Sequence, residues 1–292
     1  MESWRFSLHG GHSSAYCDHA YSPLEAMVEA AIAQGLHTFG ITEHAPRPDP
    51  AHLYAEELDL GWTVETLAEK FEAYAGEVDR LRAQYAGRIR VLKGFEIEVP
   101  PVCSYAFSQE LRARYAFDYI VGSVHWVNGH IIDYRPEHFD AAVAVAGGLE
   151  PLAIQYYAQV VEMVRALRPE VVGHFDLIRR NAPSEGSVDT PAIRAAAVAA
   201  LEAVAETGGL LDINTGGYRK GLGRPYPARW IVRAARELGI GCCFGDDSHR
   251  VAEVGAGLEE ARAYLLGCGV DKVVCFTDGG TTRESVSLLP LP

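Results

Sequence analysis

The stretch from Leu8 to His19, "LHGGHSSAYCDH", puts three histidines, a cysteine and an aspartate into twelve residues. Imidazole, thiolate and carboxylate are the donors that bind first-row transition metals. Metal binding is one reading of the stretch. A polar loop rich in histidine is the other.

Polar residues recur at one kind of position elsewhere. Short apolar runs predict strands at "WRFSLH", "HTFGITEH", "RIRVLKGFEIE", "FDYIVGSVHW", "EVVGHFDLI", "GLLDINTG", "GIGCCFGDDSH" and "DKVVCFTD". The first closes on His9, with His12 and His19 following. The next two close on Glu43-His44 and on Glu96-Ile97-Glu98. The fourth closes on His125, the fifth on His174 and Asp176, the sixth on Asp212 and Asn214. The seventh closes on Asp246, Asp247 and His249. Seven of the eleven histidines share this position; His37, His52, His130 and His138 do not. His52 follows the loop "APRPDPAH", which is long enough to reach over a nearby site.

Each residue alone has a bland reading. His44 suits a structural or capping role, and Glu96 suits a salt bridge. Their recurrence is what argues for a cation, because carboxylates and imidazoles in an apolar setting are costly unless paired or bound to metal.

The elements that must position them alternate. Amphipathic helices are predicted at "PLEAMVEAAIAQG", "VETLAEKFEAYAGEVDRLRAQY", "LAIQYYAQVVEMVRALR", "TPAIRAAAVAALEAVAETG", "PARWIVRAARELG" and "VGAGLEEARAYLLGCG". Strands alternating with helices read as α/β units around a mostly parallel sheet. We expect one domain over residues 1–292, as a closed barrel, with an open doubly wound sheet as the alternative. In such barrels the active site forms where the C-terminal strand ends converge. No G-x-G-x-x-G or Walker-type loop follows a strand, which weakens nucleotide-fold readings.

Composition narrows the partners. Asp and Glu outnumber Lys and Arg by 39 to 26, for a net charge of −13. That argues against nucleic acid or an anionic membrane as partner. None of the six cysteines forms a Cys-x-x-Cys pair, so reduced thiols and a cytoplasmic setting are expected, with Cys17 structural. The start "MESWRFSLHG" does not read as a signal peptide, and no apolar run is long enough to span a bilayer.

Together these segments resemble the polymerase-and-histidinol-phosphatase (PHP) family of metallophosphoesterases over most of the chain. "GITEHA" is similar to the family's T-D-H motif and "GFEIE" to its G-x-E segment. "FDYIVGSVHW" and "VVGHFDLI" resemble its G-S-x-H and G-H-x-D segments, and "GDDSHR" its S-D-A-H-R motif. "LDINTGGYRK" and "ARELGIG" resemble the stretch before that motif in the histidinol-phosphatase branch.

The resemblance implies a distorted, TIM-like (β/α)7 barrel with three divalent metal ions. His9, His12, Glu96 and Asp247 would hold the first. Glu96, bridging, with His125 and His174 would hold the second. His19, His44 and His249 would hold the third. The mixed donor set suits Zn, Fe or Mn.

The first motif departs from the family pattern. Ser7 stands where an Asp is usual, and Gly11 takes the in-phase position of the second histidine, now displaced to His12. Glycines at 10 and 11 can form a bulge that turns His12 back inward.

The implied activity is hydrolysis of a small phosphate monoester, L-histidinol phosphate in histidine biosynthesis above others. Two close metals would share a water and lower its pKa, giving a hydroxide that attacks phosphorus in line. Glu96, Asp247 and His249 are the catalytic candidates. Arg219, Arg250 and Arg179, with Arg180 beside it, are the candidates for binding phosphate, whose oxygens match a guanidinium fork. Gly216 and Gly217 would let backbone approach the substrate. Asp246 would either bond a ligand histidine or repel anions, and Asp176 is one candidate general acid. The same chemistry on a nucleotide or sugar phosphate is the alternative, and a metal-binding protein without turnover is a further one.

Overall fold

Thr38–His44 (β2) and Arg90–Ile97 (β3) pair in parallel along their length, from Thr38 opposite Arg90 to His44 opposite Glu96. Both are buried on two faces, which is why they read as near-continuous apolar runs. This computed structural model describes residues 3–277 and 282–290, so the ends of the expected 1–292 domain and residues 278–281 lie outside the described residues.

The remaining strands are β1 (Phe6–Ser7), β4 (Tyr119–Gly122), β5 (Trp126–Val127), β6 (His130–Ile131), β7 (Val171–Val172), β8 (Leu210–Asn214), β9 (Cys242–Gly245), β10 (Lys272–Thr277) and β11 (Thr282–Ser287). Seven of them form one parallel sheet in the order β1-β2-β3-β4-β7-β8-β9. Its two edges meet. The Leu8 N–H donates to Phe244 O at 2.7 Å, and the Asp247 N–H donates to His9 O at 2.8 Å. The sheet is therefore a nearly closed seven-stranded barrel rather than an open doubly wound sheet.

All six predicted helices form, at Leu24–Ala33, Val64–Gln84, Leu149–Leu167, Pro191–Thr207, Arg229–Glu237 and Leu258–Leu266. Thr63 and Thr190 start two of them, each side chain accepting from a backbone N–H three residues on. The helix Tyr105–Tyr115 was not legible in the sequence. It buries only Ser108 and Leu111, too little to print a helical period.

The eighth predicted strand does form, as β10, but outside the barrel. It pairs antiparallel with β11. The bonds between β1 and β9 already occupy the edge it would have joined. Phe276 instead packs 5.3 Å from the ring of Tyr119, the first residue of β4. The hairpin thus covers the N-terminal ends of the strands, opposite the polar ends. Among the described residues no helix is long and apolar enough to cross a membrane, and all six cysteines are free and buried.

Candidate metal centre

The C-terminal strand ends converge as the barrel requires. β3 and the residue that follows it aim Glu96 and Glu98 inward two residues apart, and β8 does the same with Asp212 and Asn214. Glu96 is the hub. Its Oε1 lies 3.0 Å from His174 Nε2, 3.4 Å from His9 Nε2 and 3.5 Å from His125 Nε2. Its Oε2 lies 3.2 Å from His44 Nδ1 and 4.0 Å from His12 Nε2. Ser123 Oγ donates to Oε1 at 2.5 Å.

His12 reaches this cluster by the expected route. Gly11 has φ +78°, a left-handed turn that suits glycine, and the His12 N–H donates to Ser248 O at 3.0 Å. The ring is fully buried, with Nε2 3.6 Å from Asp247 Oδ1. Gly10 is needed for a different reason: a Cβ there would overlap Asp246 Oδ1.

Three carboxylates behind the imidazoles received no role from the sequence. His9 Nδ1 donates to Asp212 at 2.7 Å, His12 Nδ1 faces Glu43 at 3.2 Å, and His125 Nδ1 faces Glu98 at 3.1 Å. A carboxylate on the outer nitrogen fixes the tautomer and presents the other nitrogen to a cation. The signal was partly present: Glu43 and Glu98 lie at the same strand ends as the candidate ligands His44 and Glu96, whereas Asp212 lies at a strand end with no candidate ligand. Which imidazole each one backs depends on pairing between strands, which has no local signature in the sequence.

The donor atoms fall into four groups, each within 4.8 Å: His9–His12–Asp247, His9–Glu96–His174, His12–His44–Glu96, and Cys17–His19–His44–His249. His125 Nε2 lies beside the second, 3.3 Å from His174 Nε2 and 3.5 Å from Glu96 Oε1. Several buried atoms here have no hydrogen-bond partner: Nε2 of His9, His12 and His44, and Oε2 of Glu96. Each orphaned polar atom costs about 1–3 kcal/mol. Divalent cations would satisfy these atoms, so the residues present fit the ions that the sequence implies.

Electrostatics point the same way. Burial alone would raise the Glu96 carboxyl, but His9 and His125 overcome it and hold it well below its ordinary range. Burial is likewise outweighed at Asp247, by Lys220 and then His9 and His249. Burial opposes a proton on His9 and on His125. Glu96 with Asp212 at the first, and Glu98 with Glu96 at the second, raise both well above the ordinary value. His12 and His249 are held well below theirs, by burial first and then by neighbouring imidazoles. Asp247 and His174 carry positive φ, +48° and +23°, so two of the proposed ligands sit on strained backbone.

A cavity of about 570 Å³ opens over these groups, within the range of small-molecule sites. Its floor includes Glu96, His125 and Asp247, and His19, His44 and His249 stand on one side. Arg219, Arg250, Lys220 and Arg180 line it with positive charge. Tyr54, Tyr134 and Ile131 form an outer, less polar wall.

Several expectations need correction. Arg179 does not reach the cavity. It ends a single 3-10 turn that directs it into the core, where it is 6 % exposed, ion-pairs with Asp176 at 2.6 Å and donates to Pro225 O at 3.2 Å. Arg180 takes the cavity-facing place. Asp176 is buried against Arg179 and accepts from the Ala228 N–H, so it is not placed as a general acid. Asp246 bonds no histidine. It accepts from the N–H groups of Ser248 and Gly255, and burial pushes it up to about 6. Gly217 makes room for the chain itself, since a Cβ there would overlap the Arg224 carbonyl, whereas a Cβ at Gly216 would crowd the side chains of Asn214 and Asp247 at the site. His52 packs on Trp126 away from the cavity, and Tyr54 from the same loop lines it instead.

Comparison with known proteins agrees with this geometry. The sequence matches the PHP domain family over residues 9–216. A Schizosaccharomyces pombe relative, described as a probable histidinol-phosphatase, is 34% identical, with 95% of this chain and 92% of that protein covered. A Saccharomyces cerevisiae histidinol-phosphatase is 27% identical over 95% of this chain and 93% of its own length. The crystal structure of a Lactococcus lactis histidinol phosphate phosphatase, complexed with zinc, L-histidinol and phosphate, shares the fold. Its TM-score is 0.72 at 20% identity, with 96% of this chain and 99% of that one covered. A barrel with a buried imidazole–carboxylate cluster at its C-terminal mouth defines a metallohydrolase scaffold. This chain belongs to the PHP family.

Proposed function

We propose that this chain, as one domain over residues 1–292, is a metal-dependent phosphomonoesterase whose substrate is L-histidinol phosphate, released as L-histidinol and phosphate. The observation that carries the chemistry is Glu96, one buried carboxylate within 4.0 Å of five imidazoles. The substrate reading is supported by the relatives that bear this activity in their names.

In this reading three divalent ions, Zn, Fe or Mn, are held by the barrel mouth. His9, His12, Glu96 and Asp247 hold one; Glu96, His125 and His174 hold the second; His19, His44 and His249 hold the third. Such ions supply an activated water and neutralise charge on the phosphoryl oxygens. The protein's own part is positioning. Asp212, Glu43 and Glu98 fix three ligand rings. Glu96 and Asp247 stay ionised and keep cations close together. Arg180, Arg219, Lys220 and Arg250 draw the phosphate to the floor of the cavity, and the tyrosine wall receives the leaving group. A cytoplasmic biosynthetic setting fits this role.

The test is metal analysis of the purified protein beside phosphate release from L-histidinol phosphate and a panel of nucleotide and sugar phosphates. Release confined to L-histidinol phosphate is expected. Full metal occupancy with no release from any ester would sink the phosphatase reading, and fast release from nucleotides alone would sink the substrate.

A further inference from the structure

We propose that Cys17 is a fourth ligand of the cation placed among His19, His44 and His249, making that position a thiolate–imidazole centre. This rests on the metal reading above and adds a residue to it. Cys17 is 5 % exposed, and its Sγ lies 3.4 Å from His19 Nδ1. Its sulfur and one ring nitrogen from each histidine all fall within 4.8 Å of one another. With Zn–S of about 2.3 Å and Zn–N of about 2.0–2.1 Å, sulfur and nitrogen on one tetrahedral zinc stand roughly 3.6 Å apart. The sulfur is already at nearly that separation.

The histidines leave the right nitrogens free. His44 Nδ1 faces Glu96 at 3.2 Å, and its Nε2 is buried without a hydrogen-bond partner. His249 Nδ1 donates to Asp247 O at 3.0 Å, which leaves Nε2 for a cation. The competing arrangement is local. Asp18 Oδ1 also lies 3.0 Å from His19 Nδ1, and a simple S–H contact to the ring would then explain Cys17.

The consequence is selectivity. The donors around Glu96 are all nitrogen and oxygen, whereas a thiolate is soft and favours Zn²⁺ over Mn²⁺. On binding, the Cys17 S–H bond breaks, the proton leaves to solvent, and the sulfur lone pair forms the metal–sulfur bond. No electron is transferred.

Cobalt separates the possibilities. The chelated protein is reloaded with Co²⁺ and its absorption recorded. A near-ultraviolet sulfur-to-cobalt charge-transfer band is expected, lost in Cys17→Ser and retained in Cys103→Ser, which removes a buried thiol outside the cluster. Circular dichroism of Cys17→Ser checks its fold, and the wild-type spectrum stands without that variant. Visible bands of imidazole-bound cobalt without the sulfur band would overturn the Cys17 assignment and leave the metal reading intact. So would a sulfur band that survives in Cys17→Ser. Failure to bind cobalt at all would overturn both.

Discussion

Asp212 accepts a 2.7 Å hydrogen bond from His9 Nδ1 across the barrel seam, and both side chains are fully buried. Asn214 donates to the same carboxylate oxygen at 2.9 Å. The sequence has Ser7 where the family's first strand has an aspartate. Ser7 instead ties the seam, accepting from the Asp246 N–H and donating to His9 O. Asp212→Asn keeps the shape but removes the charge behind the ring. Loss of such a partner weakens metal affinity about 10- to 100-fold. Competition with a chromophoric chelator reads this directly, and unchanged affinity would mean Asp212 does not orient His9.

Gly11→Ala places a Cβ at φ +78° and presses it against Ile41. The left-handed backbone costs about 1–2 kcal/mol for a non-glycine residue. A lower melting temperature is expected, together with loss of metal from the His12 position. Full metal content by elemental analysis would show that the turn does not deliver His12.

Two adjacent arginines make a paired test. Arg180→Ala removes a cavity charge. A charged hydrogen bond is worth about 1.5–3 kcal/mol, so kcat/KM should fall roughly 10- to 150-fold. Arg179→Met breaks a buried ion pair with Asp176, which costs about 3–5 kcal/mol. It should lower the melting temperature while leaving kcat/KM of the folded enzyme near normal. The reverse pattern would restore Arg179 to the cavity.

Removing metal should expose a pH dependence with two limbs. In the metal-free site His9, His44 and His125 have folded pKa values raised above 6.5. They contribute stability that is full below 6.5 and is lost as pH rises through the raised values. His12 and His249 are depressed, so the unfolded chain gains their protons first as pH falls below 6.5, and stability drops. The depressed carboxyls of Glu96 and Asp247 add to that loss at lower pH. Thermal melts of chelated protein should therefore peak near pH 6.5. A bound cation replaces the protons, so the alkaline limb should vanish on reloading. Identical profiles with and without metal would contradict this.

Much of this site was legible because ligands sit at repeated positions. Alternation along a strand and the end of each apolar run locate Glu96, His125, His174 and Asp247 without coordinates, and six helices declare themselves by period. Other features depend on contacts distant in sequence. Arg179 and Arg180 are neighbours with equal claims until one 3-10 turn sends the first to Asp176 and the second to the cavity. Asp212, Glu43 and Glu98 show as strand-end carboxylates, but their partners come from other strands. Cys17 shows as a small buried residue until folding sets it beside His19, His44 and His249.

The sequence by itself determined the donor types, the strand-end placement and the α/β alternation, because side-chain periodicity is local. The tertiary structure alone decided which donors meet, which carboxylate backs which ring, and that β10 stays outside the barrel. Closure of β1 on β9 brings the first and last motifs together, and that contact, between residues more than two hundred apart, has no local signature.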